Sequence, residues 1–219
     1  MPACAAGSDR AHASDCPGLR ILQVRVALPE PIRGAVMTQA HSTRAASTLW
    51  ILLLTLASTA TTLALACATP FPALAALAAV HMRRSDGVRL MLAAWLASQA
   101  VGFCLLDYPR DAGTFGWAAG LASAAVASVL GAYAALRLVP GRSTLVRLGV
   151  AYLAGFAAFK LVVLGWAVPL GGVASTIDPA ILMRQLVRNG AILVGLYALY
   201  RALTAIGVPQ PAAPRAAAA

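Results

Sequence analysis

From Leu49 to Leu203 the chain alternates long apolar runs with short polar breaks. Leu49 to Ala68 carries no charge over 20 residues. At ~1.5 Å per residue, a helix of that length covers about 30 Å, one hydrocarbon core. "ALAC" at Ala64 to Cys67 resembles a lipoprotein cleavage site, but further apolar runs follow, so the run is expected to stay as a helix. Pro70 and Pro72 come next. Proline removes a backbone donor and clashes with the preceding turn, so the helix is predicted to break there. The second run, Pro72 to Met82, has only 11 residues before Arg83 closes it. Leu90–Leu106, Phe115–Leu138 and Leu145–Val168 follow, and the last run goes from Ala180 to about Leu203. Asp178 is placed to cap that last helix and Pro179 to fill its first position. "PLGGVASTIDP" reads as a loop.

Backbone groups in a bilayer must be satisfied within the segment, so each run is expected to be helical. The predicted fold is all-α: a polytopic membrane protein of six transmembrane helices, the second short and broken by proline. The transmembrane domain is bounded at 49–206. Residues 1–48 hold four prolines and no sustained apolar face, and are expected to be a disordered N-terminal segment. Met37 offers a second start, since "MTQAHSTRAASTLW" leads directly into the first run, and residues 1–36 would then be an extension. Residues 207–219 read as a disordered tail.

Composition agrees with the pattern. The chain is 60% hydrophobic and only 11% charged, where soluble domains carry roughly a quarter charged residues. The net charge of +10 does not point to nucleic acid, because the arginines cluster between apolar runs. Arg outnumbers Lys 16 to 1 and alanine fills 51 positions, a bias typical of a GC-rich bacterial genome. The expected location is the bacterial inner membrane. Arg44, Arg83, Arg84, Arg89, Arg137, Arg142, Arg147, Arg201 and Arg215 flank one side, against Arg110 on the other, or against three if Arg184 and Arg188, just inside the last run, are counted. The positive-inside rule then puts both termini in the cytoplasm.

Cys4, Cys16, Cys67 and Cys104 form no C-x-x-C pair, so a zinc or iron–sulfur site has no support. Cys67 and Cys104 both fall toward the outer side, as a disulfide pair or as two small buried hydrophobes. Metalloprotease, hydrolase and phosphate-loop motifs are absent. No enzyme activity, cofactor or metal is expected.

Polar residues interrupt three of the apolar runs. Gln99 lies eight residues before Asp107, Lys160 eight before Val168, and Arg188 nine after Pro179. On helices these spacings put each about 12–13 Å below the outer helix end. Arg184 lies nearer the surface, Asn189 beside Arg188, and Asp107 and Tyr108 at the mouth. Lys160 is the chain's one lysine, and no Asp or Glu falls well inside any of the runs. A charge at that depth costs about 2.5–3.5 kcal/mol on insertion scales, so it is expected to face a cavity or a partner. The expected binding residues are Gln99, Asp107, Tyr108, Lys160, Arg184, Arg188 and Asn189, around a small anionic or carboxylate-bearing molecule. Blander roles stand beside this one. Arg184 can snorkel to the interface, Lys160 can pair with Asp107 or Asp178, and Gln99 can bond a neighbouring helix. Trp117, Trp166 and Tyr108 near run ends suit an interfacial belt.

Gly116 and Gly120 have the spacing of a small-residue packing face, as do Ala60, Ala64 and Ala68. With six helices, both ends inside and a polar layer opening outward, the chain resembles the substrate-binding S component of energy-coupling-factor vitamin transporters. The alanine motif of that family's first helix is matched by Ala60, Ala64 and Ala68. The resemblance is architectural and covers residues 49–203. It implies capture of a vitamin-like solute from outside, with a transmembrane coupling subunit and ATPases as partners. A scaffold or accessory subunit of a membrane complex is the alternative.

Overall fold

In the computed structural model, residues 45–60 and 70–211 are described. They belong to one compact unit, Thr38–Ala219. The N-terminal segment 1–36 and the alternative start at Met37 lie outside the described residues, as do Cys67 and the last eight positions.

Among the described residues the fold is all-α, with seven helices. These are α1 (Ala45–Ala60), α2 (Phe71–His81), α3 (Arg84–Leu105), α4 (Ala112–Leu136), α5 (Thr144–Leu170), α6 (Val173–Ile177) and α7 (Pro179–Ala205). α3, α4 and α5 are long and apolar enough to cross a membrane. α7 matches α5 in length but carries Arg184, Arg188 and Arg201.

α2 organises the bundle. Its eleven residues, FPALAALAAVH, include no polar side chain before His81. A helix apolar all round has no face to turn toward water or a headgroup, so it is buried on every side. Residues from Phe71 to Val80 are all buried, and α3, α4, α5 and α7 pack around them. The two prolines start this helix as well as ending the previous run. Pro70 is its N-cap and Pro72 sits in the first turn, where a missing N–H costs nothing. At about 16 Å, α2 covers half a hydrocarbon core. It is a half-length central helix and not a tilted span.

Ring contacts show which ends meet. Tyr200 of α7 lies 4.2 Å from His81 and 4.9 Å from Trp50, centroid to centroid. The Tyr133 hydroxyl of α4 is 2.9 Å from the Met82 carbonyl and 3.1 Å from that of Ala78. One proton serves one carbonyl at a time. Gly87 makes room for this hydroxyl, since a Cβ there would sit 2.6 Å from it. The starts of α1, α3 and α5 and the ends of α2, α4 and α7 therefore share one end. Arg83, Arg84, Arg89, Arg137, Arg142, Arg147 and Arg201 all sit near it.

α4 and α5 pack closely because small residues line their seam. A Cβ at Gly120 would lie 2.9 Å from Trp166, and one at Gly116 3.0 Å from Leu170. Gly155 faces the Ser128 carbonyl at 3.2 Å. The Trp166 indole N–H then donates to Ser123 Oγ at 2.9 Å.

Four details depart from the sequence-based expectation. α3 starts at Arg84, six residues before the apolar run, with Asp86 in its first turn bonded to Arg89 at 3.2 Å. α1 starts at Ala45, four residues before its run. The expected loop after α5 contains α6, whose start follows left-handed glycines at 171 and 172. The tail is held as far as Pro211, because the Trp50 indole N–H donates to the Pro209 carbonyl at 2.7 Å and Pro211 is buried.

The close seam gives a clean comparison. Gly120→Leu is expected to lose about 1–3 kcal/mol through overpacking against Trp166. Gly149→Leu, with open space around its Cβ position, is expected to lose nothing measurable. Unfolding of the purified protein by SDS titration, followed by circular dichroism, reads both. Equal effects would mean that the α4–α5 seam is not close-packed.

Candidate functional site

Lys160 lies on α5, and Arg184, Arg188 and Asn189 on α7. Both helices pack against α2. Among the described residues, one hydrogen bond joins α5 directly to α7: the Tyr152 hydroxyl donates to the Leu186 carbonyl. The same hydroxyl faces Gly190, where a Cβ would sit 3.8 Å away. A buried phenol needs a polar partner, and a carbonyl late in the first two turns of α7 supplies it.

Depth along the bundle can be read from the contacts. α2 and α7 both run toward the arginine-rich end, where His81 meets Tyr200. Asn189, three residues nearer that end than Leu186, lies beside the Tyr152 hydroxyl, and Tyr152 is eight residues nearer that end than Lys160. Asn189 also shares a face with Ile192, Leu193, Leu196 and Tyr200, the buried face of α7. From α5, the Phe159 ring reaches Phe71 at 6.1 Å, and Lys160 is the next residue.

Asn189 is 7% exposed. Its Nδ2 donates to the Gln185 carbonyl at 3.0 Å, and its Oδ1 has no hydrogen-bond partner. Lys160 is half-buried. Among the described residues the one ion pair is Arg89–Asp86, so Lys160 pairs with neither Asp107 nor Asp178. Asp178 is instead the cap of α7, accepting from Ala180 N at 2.8 Å and Ile181 N at 2.9 Å. Arg188 is half-buried and Arg184 exposed.

The structure does not bring the other three expected residues to this seam. Gln99 donates to its neighbour Ser98 Oγ at 3.2 Å. It lies one turn beyond Trp95, whose indole N–H reaches the Ala118 carbonyl at 2.9 Å. With Gly120 against Trp166, Gln99 is level with the last turns of α5, about 12 Å further from the arginine-rich end than Lys160. Asp107 and Tyr108 build the turn from α3 to α4. Asp107 takes a left-handed φ of 48°, which ends α3. The Tyr108 N–H then donates to the Gly102 carbonyl at 3.1 Å, and its ring lies flush on Gly102, where a Cβ would be 2.7 Å away. Asp111 starts α4 by accepting from Thr114 N at 2.7 Å, which holds its carboxyl below the usual range. Folding gains from that cap above the carboxylate range and loses it as pH falls through the lowered pKa.

Of the packing residues, Gly116 and Gly120 face α5 within this chain. Ala60 is exposed, and Ala64 and Ala68 lie outside the described residues. Cys104 is exposed and free. Among the described residues no three His, Cys, Asp or Glu side chains gather. An open apolar groove of about 760 Å³ runs between α3 and α4, lined by Leu92, Trp95, Phe115, Ala122 and Val126 among others. It includes none of the cations.

Sequence reasoning missed Tyr152 and the start of α2. A tyrosine deep in an apolar run was a usable signal, because its hydroxyl must find a partner.

These features define a helical membrane protein with a polar seam beside a half-length central helix. The chain matches no family model, no curated protein and no solved structure.

Tyr152→Phe keeps the ring and removes the α5–α7 bond. It is expected to lower stability by about 0.5–1.5 kcal/mol, the net value of one hydrogen bond. SDS unfolding reads this, and an unchanged midpoint would mean that the bond does not hold the two helices.

Proposed function

We propose that the chain binds a small anionic or carboxylate-bearing solute from the outer side and serves as the substrate-binding component of an uptake system. The observation that supports this most is Lys160. It is a half-buried amine in a membrane-spanning helix, without an ion-pair partner among the described residues. Its insertion cost of about 2.5–3.5 kcal/mol needs an offset, and an anionic ligand supplies one. Arg184 and Arg188 add positive field from α7, near the helix N-terminus where the backbone dipole has the same sign.

The proposed location is the bacterial inner membrane, with both termini cytoplasmic. Arginines gathered at one end of the bundle support the orientation. The proposed topology has six transmembrane helices, the second short, and α3, α4 and α5 are long and apolar enough to cross. A coupling subunit with ATPases remains the proposed partner, since the chain has no phosphate-binding loop of its own. The scaffold alternative draws on the apolar α3–α4 groove, a surface that suits a partner helix.

Reporter fusions test the topology. Fusions after Gly141 and Ala219 are expected to read cytoplasmic, and one after Gly113 periplasmic. A periplasmic signal at Ala219 would refute the orientation.

Lys160→Met keeps side-chain length and removes the charge. Native mass spectrometry of the protein in detergent is expected to show a bound anionic small molecule in the wild type and at least tenfold less in the variant. Equal occupancy at equal expression would remove Lys160 from the site.

A further inference from the structure

At the arginine-rich end, three helices bring one cluster together. The His81 ring of α2 lies 4.2 Å from Tyr200 and 6.1 Å from Tyr197 of α7, centroid to centroid. Its Nδ1 is turned back on its own helix and donates to the Leu77 carbonyl at 3.1 Å, so the ring is a platform between helix ends. Arg201 of α7 donates through Nη1 to the Tyr197 hydroxyl at 3.5 Å. Arg147, in the first turn of α5, is a charge neighbour of the same His81 ring.

No anion answers these cations. Among the described residues the one ion pair is Arg89–Asp86, and no acceptor reaches the Arg147 guanidinium or the O–H of Tyr197. The remaining described carboxylates, Asp107, Asp111 and Asp178, stand at the other end of the bundle. Arg147 and Tyr197 are half-buried, so water supplies only part of the missing hydrogen bonds.

The rim of the cluster is apolar. Leu145 and Val146, beside Arg147, are 69% and 47% exposed, and Ile206, at the end of α7, is 78% exposed. Cations ringed by exposed apolar side chains, at the end of a membrane-length helix, match a phospholipid. Its acyl chains cover the rim while its phosphate meets the arginines. A soluble anion matches the charges alone and leaves the rim uncovered. A zwitterionic headgroup brings its own cation to a place that already holds two, so the charge favours an anionic one.

We propose that Arg147, Arg201 and the Tyr197 hydroxyl bind the headgroup phosphate of an anionic phospholipid, with its acyl chains over Leu145, Val146 and Ile206. The lipid ties the start of α5 to the end of α7, two helices that pack on α2 and not closely on each other. Lys160 takes no part in it.

The test titrates the full chain in detergent with dioleoyl phosphatidylglycerol and with dioleoyl phosphatidylcholine, which have the same chains. Native mass spectrometry counts the bound lipid. Phosphatidylglycerol is expected to bind about tenfold or more tightly than phosphatidylcholine. Arg147→Gln and Arg201→Gln are each expected to weaken it about fivefold, and together to remove the preference. Tyr197→Phe is expected to weaken it roughly two- to tenfold, the effect of one hydrogen bond. Arg84→Gln removes a cation at the same end outside the cluster, and Arg110→Gln removes one at the other end. Both are expected to leave the affinity within about twofold. Circular dichroism checks the fold of each variant, and the two single variants carry the comparison if the double one unfolds. Equal affinity for the two lipids would overturn the inference. So would a loss with Arg84→Gln as large as with Arg147→Gln, which is the behaviour of diffuse charge. Complete displacement of the lipid by millimolar inorganic phosphate would make this a free-phosphate site and overturn the lipid assignment.

Discussion

Burial of α2 is the constraint on which the rest of the bundle depends. An eleven-residue helix with no polar stripe can be placed only where every direction is apolar. Four helices surround it, and their inward faces are built for close approach. α7 presents Ile192, Leu193 and Leu196, while α4 and α5 present Ala124, Ala125 and Ala151. At that range the backbones of α4 and α5 meet over glycine, as Gly155 against the Ser128 carbonyl shows. Dispersion between well-fitted surfaces holds such a bundle in lipid, where hydrophobic burial gives no net drive.

Because α2 is half the length of a span, it divides the bundle by depth. The arginine-rich half is filled by its side chains and closed at the end by His81, Tyr200 and Trp50. At its start Phe71 meets Phe159 of α5, and α5 is tied to α7 by Tyr152. Lys160, next to Phe159, occurs at this change of depth. A charge is least costly where packing is least complete, so the position of Lys160 and the length of α2 have one explanation.

The turns at the end away from the arginines serve different ends. Asp107, Tyr108, Asp111 and Asp178 look alike in sequence, as polar residues at the mouths of apolar runs. Asp111 and Asp178 are helix caps, and Asp107 with Tyr108 is a chain reversal fitted onto Gly102. Local backbone geometry accounts for the three aspartates, and none of the hydrogen bonds described for the four reaches Lys160.

Much of the fold was legible because a bilayer leaves few options. Apolar runs of about 20 residues must be helices, prolines mark their ends, and arginine placement orders the ends. The caps at Asp178 and Pro179, and the fit of Gly116 and Gly120 to a neighbouring helix, follow from local chemistry of the same kind. Depth was not legible for the candidate site. Counting residues from each helix end puts Gln99, Lys160 and Arg188 in one layer only if all helix ends are level, and packing sets those levels. The contact of Gly120 with Trp166 takes Gln99 to the level of the last turns of α5, and the bond from Tyr152 to Leu186 sets Asn189 nearer the arginine-rich end than Lys160. Sequence alone determined that α2 must be buried and that Lys160 must find relief from its desolvation. Only the tertiary structure decided that they meet at one level, because the register between helices is fixed by side chains far apart in the chain.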